Sequence, residues 1–220
     1  MKFRKIDDKR SMRRPLWETE RLQPLTEPPE PDFELSELLV DGLEWTDAHA
    51  DGSLDQSLLR GVDLSGTVLS PFEVVDATIE RSVLSNGRWE RATARRLEIT
   101  DSKLVGWQAQ FALAQDVYIA DCQADFAGIS IGTAKGPMVF ERCRFMNATF
   151  VGDFSKTVFI DCKFPGADFS RVANAKGCDF RRAELSGITG LMSLRGALIT
   201  ADQAVEIAGE LAIAAGFKLA

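Results

Sequence analysis

Histidine and tyrosine each occur once in this 220-residue sequence, as His49 and Tyr118, and cysteine occurs four times. The lone histidine sits in WTDAHADG between Asp47 and Asp51, and the chain contains no G-x-S-x-G turn. It therefore has no nucleophile to act upon and reads as a surface residue. Cys122, Cys143, Cys162 and Cys178 are 21, 19 and 16 residues apart without a C-x-x-C pair, so neither a zinc site nor a dithiol redox motif is suggested. There is no Walker A segment, no G-x-G-x-x-G after a strand and no metal-spaced cluster, so no catalytic residue, cofactor or metal is expected. No apolar run reaches the roughly 18 to 20 residues of a membrane span. The first 14 residues hold seven basic and two acidic side chains with no apolar stretch behind them, unlike a secretory signal. A cytoplasmic protein without membrane contact is expected.

The net charge is −7, which argues against direct nucleic-acid binding, because that affinity comes from neutralising phosphates with Lys and Arg. Residues 33–200 carry 23 acidic and 17 basic side chains. The cations cluster at Arg88, Arg91, Arg95 and Arg96, then at Arg142 with Arg144 and Arg181 with Arg182, so one side could be acidic and another basic. Carboxylates such as Asp63, Asp168, Asp179 and Glu184 recur at regular spacing and read as solvated outward positions rather than a paired acid and base.

What is present in abundance is a repeat. From Leu54 to Ile129 an apolar residue returns every fifth position without a break, through Leu59, Leu64, Leu69, Val74, Ile79, Leu84, Trp89 and on to Leu104. Strands bury every second residue and helices every third or fourth, so a period of five fits neither as an extended element. Two places earlier stands a small residue, as in Ser57, Thr67, Ala77, Ser82, Ala92, Ser102, Ala112, Cys122 and Ala127, and both positions should point inward. The series continues with one-residue slips through Phe140, Phe145, Phe150, Phe154, Phe159, Phe164, Phe169, Phe180 and Leu185. Four such units make a square coil of about 20 residues, and coils would stack at the strand spacing of about 4.8 Å. The steps between Cys122, Cys143 and Cys162, and between Phe140, Phe159 and Phe180, place each set on one face. About seven coils fit between residues 52 and 199. Around Cys122 to Phe126, either Ala124 or Phe126 could be the inward residue. Gly132 to Met138 is the expected place for a bulging loop.

The cycles GVDLSG, GADFSR and RAELSG resemble the pentapeptide-repeat family. That resemblance implies an all-β solenoid, a right-handed quadrilateral parallel β-helix, over residues 33–199. It implies no enzymatic activity but a rigid rod that binds a protein partner, whose identity is not given. Some members imitate duplex DNA and bind type II topoisomerases such as DNA gyrase, conferring quinolone resistance, which is the sharper alternative.

The two ends differ from the rod. Residues 1–32 contain Pro15, Pro24, Pro28, Pro29 and Pro31 and show no period, as in an irregular arm, although Leu16 to Leu25 could cover the first coil. Residues 200–220 predict a helix capped by Thr200 and Gln203, with Val205, Ala208, Leu211, Ala212, Ala215 and Leu219 on one stripe. It either covers the last coil or joins two rods tail to tail, with Leu211, Phe217 and Leu219 as contacts, leaving a monomer or a tail-to-tail homodimer open.

Overall fold

A computed structural model describes residues 2–218. Three 13-residue strands, Val68–Glu80, Arg88–Thr100 and Gln108–Ala120, pair in parallel with a step of twenty residues, so Leu69 lies beside Trp89 and Ala109, and Ile79 beside Ile99 and Ile119. Each of these strands bends around corners of the solenoid. Along one edge Glu44, Asp63, Val83, Lys103, Gln123, Arg144, Lys163 and Glu184 bridge in succession, marking about eight turns rather than seven. The additional turn continues the five-residue period backwards through Ala50, Trp45, Val40 and Leu35, which pack in or against the core, while Phe33 is buried off that series.

A period of five follows from the corners. Thr67, Gly87, Trp107 and Ala127 each donate their N–H to the carbonyl three residues earlier, on Leu64, Leu84, Leu104 and Ala124. The third residue of each turn, Gly66, Asn86, Gly106 or Phe126, has positive φ, the geometry of a type II turn that favours glycine and asparagine. An inward residue, a turn and a short extended piece therefore complete one side of the square.

Every position of the series from Leu54 to Ile129 is buried, as are Phe140, Phe145, Phe150, Phe159, Phe164, Phe169, Phe180 and Leu185. Phenylalanines one coil apart stack face to face, with centroids 5.2 Å apart for Phe140 and Phe159, 4.8 Å for Phe159 and Phe180, and 4.3 Å for Phe150 and Phe169. Neighbouring columns meet edge to face, as Phe159 and Phe164 do at 5.1 Å. Both are favoured arrangements of aromatic rings.

Four expectations need correction. Ala112 is exposed and Phe111 takes the inward place through a register shift, which buries a large ring against Trp89 and Trp107 instead of a methyl group. Gly132 to Met138 does not loop out. Val117 pairs with Met138 and Met138 with Thr157, so a 21-residue step is followed by a 19-residue one and the corner absorbs the extra residue. The amino-terminal segment is no irregular arm: Phe3–Lys5 (β1) and Ser11–Arg13 (β2) form an antiparallel hairpin, and Gln23–Leu25 pairs with the first turn.

The fourth concerns the carboxyl-terminal helix, which is two short helices, Ala201–Glu206 (α1) and Ala208–Ala214 (α2), meeting at Ile207. The Thr200–Gln203 capping box is present. Its covering stripe is Gln203, Ile207 and Leu211, while Val205 is 77% exposed. Gln203 sets this orientation by donating its amide to the Phe180 and Ala183 carbonyls at 2.8 and 2.6 Å. Phe217 is 69% exposed, and Leu219 lies outside the described residues.

Candidate interaction surface

With apolar side chains filling the interior, the chemistry of the molecule lies on its outward positions. Charges there pair from one turn to the next: Arg96 with Asp76 at 2.5 Å, Arg95 with Glu73 at 2.7 Å, Arg142 with Asp121 at 2.6 Å, and Arg144 with Asp125. These are the solenoid's equivalent of cross-strand pairs. Their consequence is an interleaved surface, not one acidic and one basic side. The Arg142 guanidinium, hydrogen-bonded to Asp121, holds that carboxyl below its usual range.

One face departs from this pattern. Outside the column Ile79, Ile99, Ile119, Phe140, Phe159 the rod carries an outward apolar patch of Tyr118, Ala120, Val139, Val158 and Ile160. Ile6 and Met12 of the hairpin bury themselves in it, Met12 to 1% exposure. Around the patch, arginines of the amino terminus meet carboxylates of the rod. Arg14 makes a two-pronged contact with Glu98 at 2.8 and 2.9 Å, and Arg4 reaches the same carboxylate at 3.2 Å. Arg13 donates to Asp116 at 2.9 Å, and Arg10 pairs with Asp179. Beyond the hairpin the Leu16 N–H binds Asp76 and the Trp17 indole binds Thr78, both at 3.0 Å.

Asp179 is therefore no solvated outward group: its side chain is 5% exposed. Burial pushes its carboxyl up, but hydrogen bonds from Arg181 and Arg10 outweigh this and hold it at about 2. The lone tyrosine hydrogen-bonds Glu141 at 2.9 Å and lies under the Arg4 guanidinium, 3.7 Å from the ring centroid. Burial and the Glu141 contact raise its phenol to about 12.

His49 is exposed in the strand His49–Asp55. The four cysteines are free and buried. The Cys143 thiol and burial raise Cys122, and burial raises Cys178, so the thiolate needed for reactivity is disfavoured. Among the described residues no cluster of His, Cys, Asp and Glu could hold a metal ion. A cavity of about 50 Å³ at the amino-terminal mouth, between Phe33, Trp45, Phe72 and Trp89, is lined by apolar side chains alone and offers no polar group to a ligand. Among the described residues no helix is long and apolar enough to cross a membrane.

Residues 153–188 match the family model of pentapeptide repeats, in eight copies. The chain contains pentapeptide repeats. The matched segment covers the turns in which the phenylalanine columns are most regular; the looser turns before it are continuous with it in backbone pairing. No curated protein matches the chain. Among solved structures, the chain is similar to HetL, a pentapeptide repeat protein involved in heterocyst differentiation regulation from the cyanobacterium Nostoc. That match has 16% identity, covers 74% of this chain and 86% of HetL, and has a TM-score of 0.37. It is also similar to QnrB1, a plasmid-mediated fluoroquinolone resistance protein. A trypsin-treated variant matches at 16% identity over 90% of this chain and 98% of that one, with a TM-score of 0.38. Full-length QnrB1 matches at 14% identity over 82% and 99%, with a TM-score of 0.35.

Proposed function

We propose that this protein is a non-enzymatic interaction module, a rigid rod that presents side chains at fixed spacing to a protein partner. The observation carrying this reading is the turn-to-turn pairing of outward charges over a continuous apolar core, which fixes surface groups in rows. Such a surface suits recognition of an extended partner face. Capture with the folded full chain from native extract tests it. One protein retained in stoichiometric amount, and lost when the chain is first unfolded, is expected; retention that ignores folding contradicts the reading.

A second reading, imitation of duplex DNA toward DNA gyrase, has the net charge of −7 in its favour, because an acidic rod can compete for a cationic DNA-binding saddle. The interleaved arginines Arg95, Arg96, Arg142 and Arg144 weaken it. A gyrase supercoiling titration with and without a fluoroquinolone separates the two: inhibition or drug protection at about micromolar protein, weakened by salt, favours DNA imitation. The exposed Leu198, Val205, Ile213 and Phe217 would supply the contact of a tail-to-tail homodimer, for which sedimentation should give twice the monomer mass. A monomer at every concentration contradicts the dimer.

A further inference from the structure

The hairpin is too short to stand alone. Its strands pair only Phe3 with Arg13, Arg4 with Met12 and Lys5 with Ser11, and an isolated two-stranded hairpin is marginal in water. Its order comes from the face beneath it, and that face is built for what it holds. Glu98, Asp116 and Asp179 have side chains 5, 6 and 5% exposed, ring an apolar patch, and meet guanidinium groups that remain 26 to 44% exposed. With the hairpin seated, the carboxylates lie beneath it and the guanidinium groups remain partly exposed. The segment Arg10-Ser11-Met12-Arg13-Arg14 thus displays what the face recognises: one apolar side chain in the patch, with arginines on both sides reaching fixed carboxylates.

We propose that the Tyr118–Val139–Val158 face is a docking surface for an arginine-rich extended segment of a partner protein, and that the amino-terminal hairpin masks it as a tethered competitor. This deepens the interaction-module reading and rests on it. Charge complementarity selects the partner: Glu98 and Asp116, whose ion pairs are with the hairpin alone, repel nucleic acid and acidic peptides, Asp179 being shared with Arg181 of the rod, and two-pronged contact at Glu98 selects arginine over lysine. Because the hairpin is covalently attached, its effective concentration is of order millimolar, so a partner must either bind strongly or arrive when the hairpin has lifted.

The test uses the full chain and a fluorescent peptide of the sequence of residues 2–17 as probe. Met12→Asp places a charge in the apolar patch and should release the hairpin, seen as faster amide exchange in β1 and β2 with the rod's exchange unchanged. The released chain should bind the peptide at least tenfold more tightly than the wild type, in a salt-sensitive manner, and an all-lysine peptide should bind several-fold more weakly. Adding Glu98→Gln and Asp116→Asn to the released chain should abolish binding. Equal affinity in wild-type and released chains, binding indifferent to the two face substitutions, or no binding by the released chain overturns the proposal. So does release that leads instead to dimers by exchange of hairpins. A partner captured by the folded chain but insensitive to Glu98→Gln and Asp116→Asn would leave the interaction module standing and sink this face alone.

Discussion

Replacing Phe159 by alanine is the sharpest perturbation of the rod. The ring is fully buried and packs against six others, stacked on Phe140 and Phe180 and edge-on to Phe145, Phe150, Phe164 and Phe169. Truncating a buried Phe costs about 3 to 5 kcal/mol, the spread reflecting how far the site can collapse. Alanine itself is tolerated at the inward position, since Ala94, Ala109 and Ala114 occupy it elsewhere, so the loss is a cavity rather than backbone strain. Stacked neighbours on both sides resist collapse, which places the cost near the middle of that range, about 4 kcal/mol, against roughly 5 to 15 kcal/mol for a typical fold. Phe159→Leu should cost only about 1 kcal/mol. Repeat arrays unfold by segments when one interface is weakened. The tryptophans, at 17, 45, 89 and 107, all precede the phenylalanine turns. In urea the alanine variant should therefore lose far-ultraviolet circular dichroism before tryptophan fluorescence, whereas the wild type loses both together. A cost below about 1 kcal/mol, or a leucine variant as damaged as the alanine one, would refute the packing argument.

Three further outcomes are expected. The single tyrosine allows its phenol to be titrated by ultraviolet difference absorbance: the midpoint should lie near 12 in the folded chain and fall toward 10.0 when Met12→Asp lifts the hairpin, whereas a wild-type midpoint already near 10.0 contradicts the burial of Tyr118. Asp179, held at about 2 against an ordinary 3.8, adds stability that is full above pH 3.8 and lost as pH falls through about 2. With half-exposed Arg181 screened by water this is roughly 1 kcal/mol, so melting temperatures of wild type and Asp179→Asn should converge in acid, and parallel curves would refute it. Phe126, 53% exposed, holds φ +58° at a corner where Asn86 and Asn147 hold the same conformation, so Phe126→Asn should raise stability by about 1 kcal/mol in urea unfolding, and a loss would show that the ring contributes contacts.

The columns were legible because each turn repeats the same local problem: Ile79, Ile99 and Ile119 announce a period that no helix or flat strand uses, and the 21- and 19-residue steps among the cysteines mark where a corner lengthens and then shortens. The covered face was not legible. Strands of three residues show no periodicity, and the partners of Arg13 and Arg14 lie 103 and 84 positions away, a distance over which sequence carries no pairing signal. For the same reason Asp179 looked like an ordinary outward carboxylate. The helix stripe was misplaced because Gln203, a polar residue, turned out to face inward, satisfying carbonyls that the end of the rod leaves open. Phe111 displaced Ala112 because a single register shift can exchange neighbours where an aromatic cluster gains from it.

The central claim, that the rod acts by presenting one face to a protein, is tested most directly by face-resolved photo-crosslinking in the native host. A photoreactive residue would replace, one at a time, Lys135, Thr100, Lys103 and Gln110, which stand on the four successive sides of the rod. The account predicts one protein captured from one side and none from the other three. No capture from any side, or equal capture from all four, would contradict it.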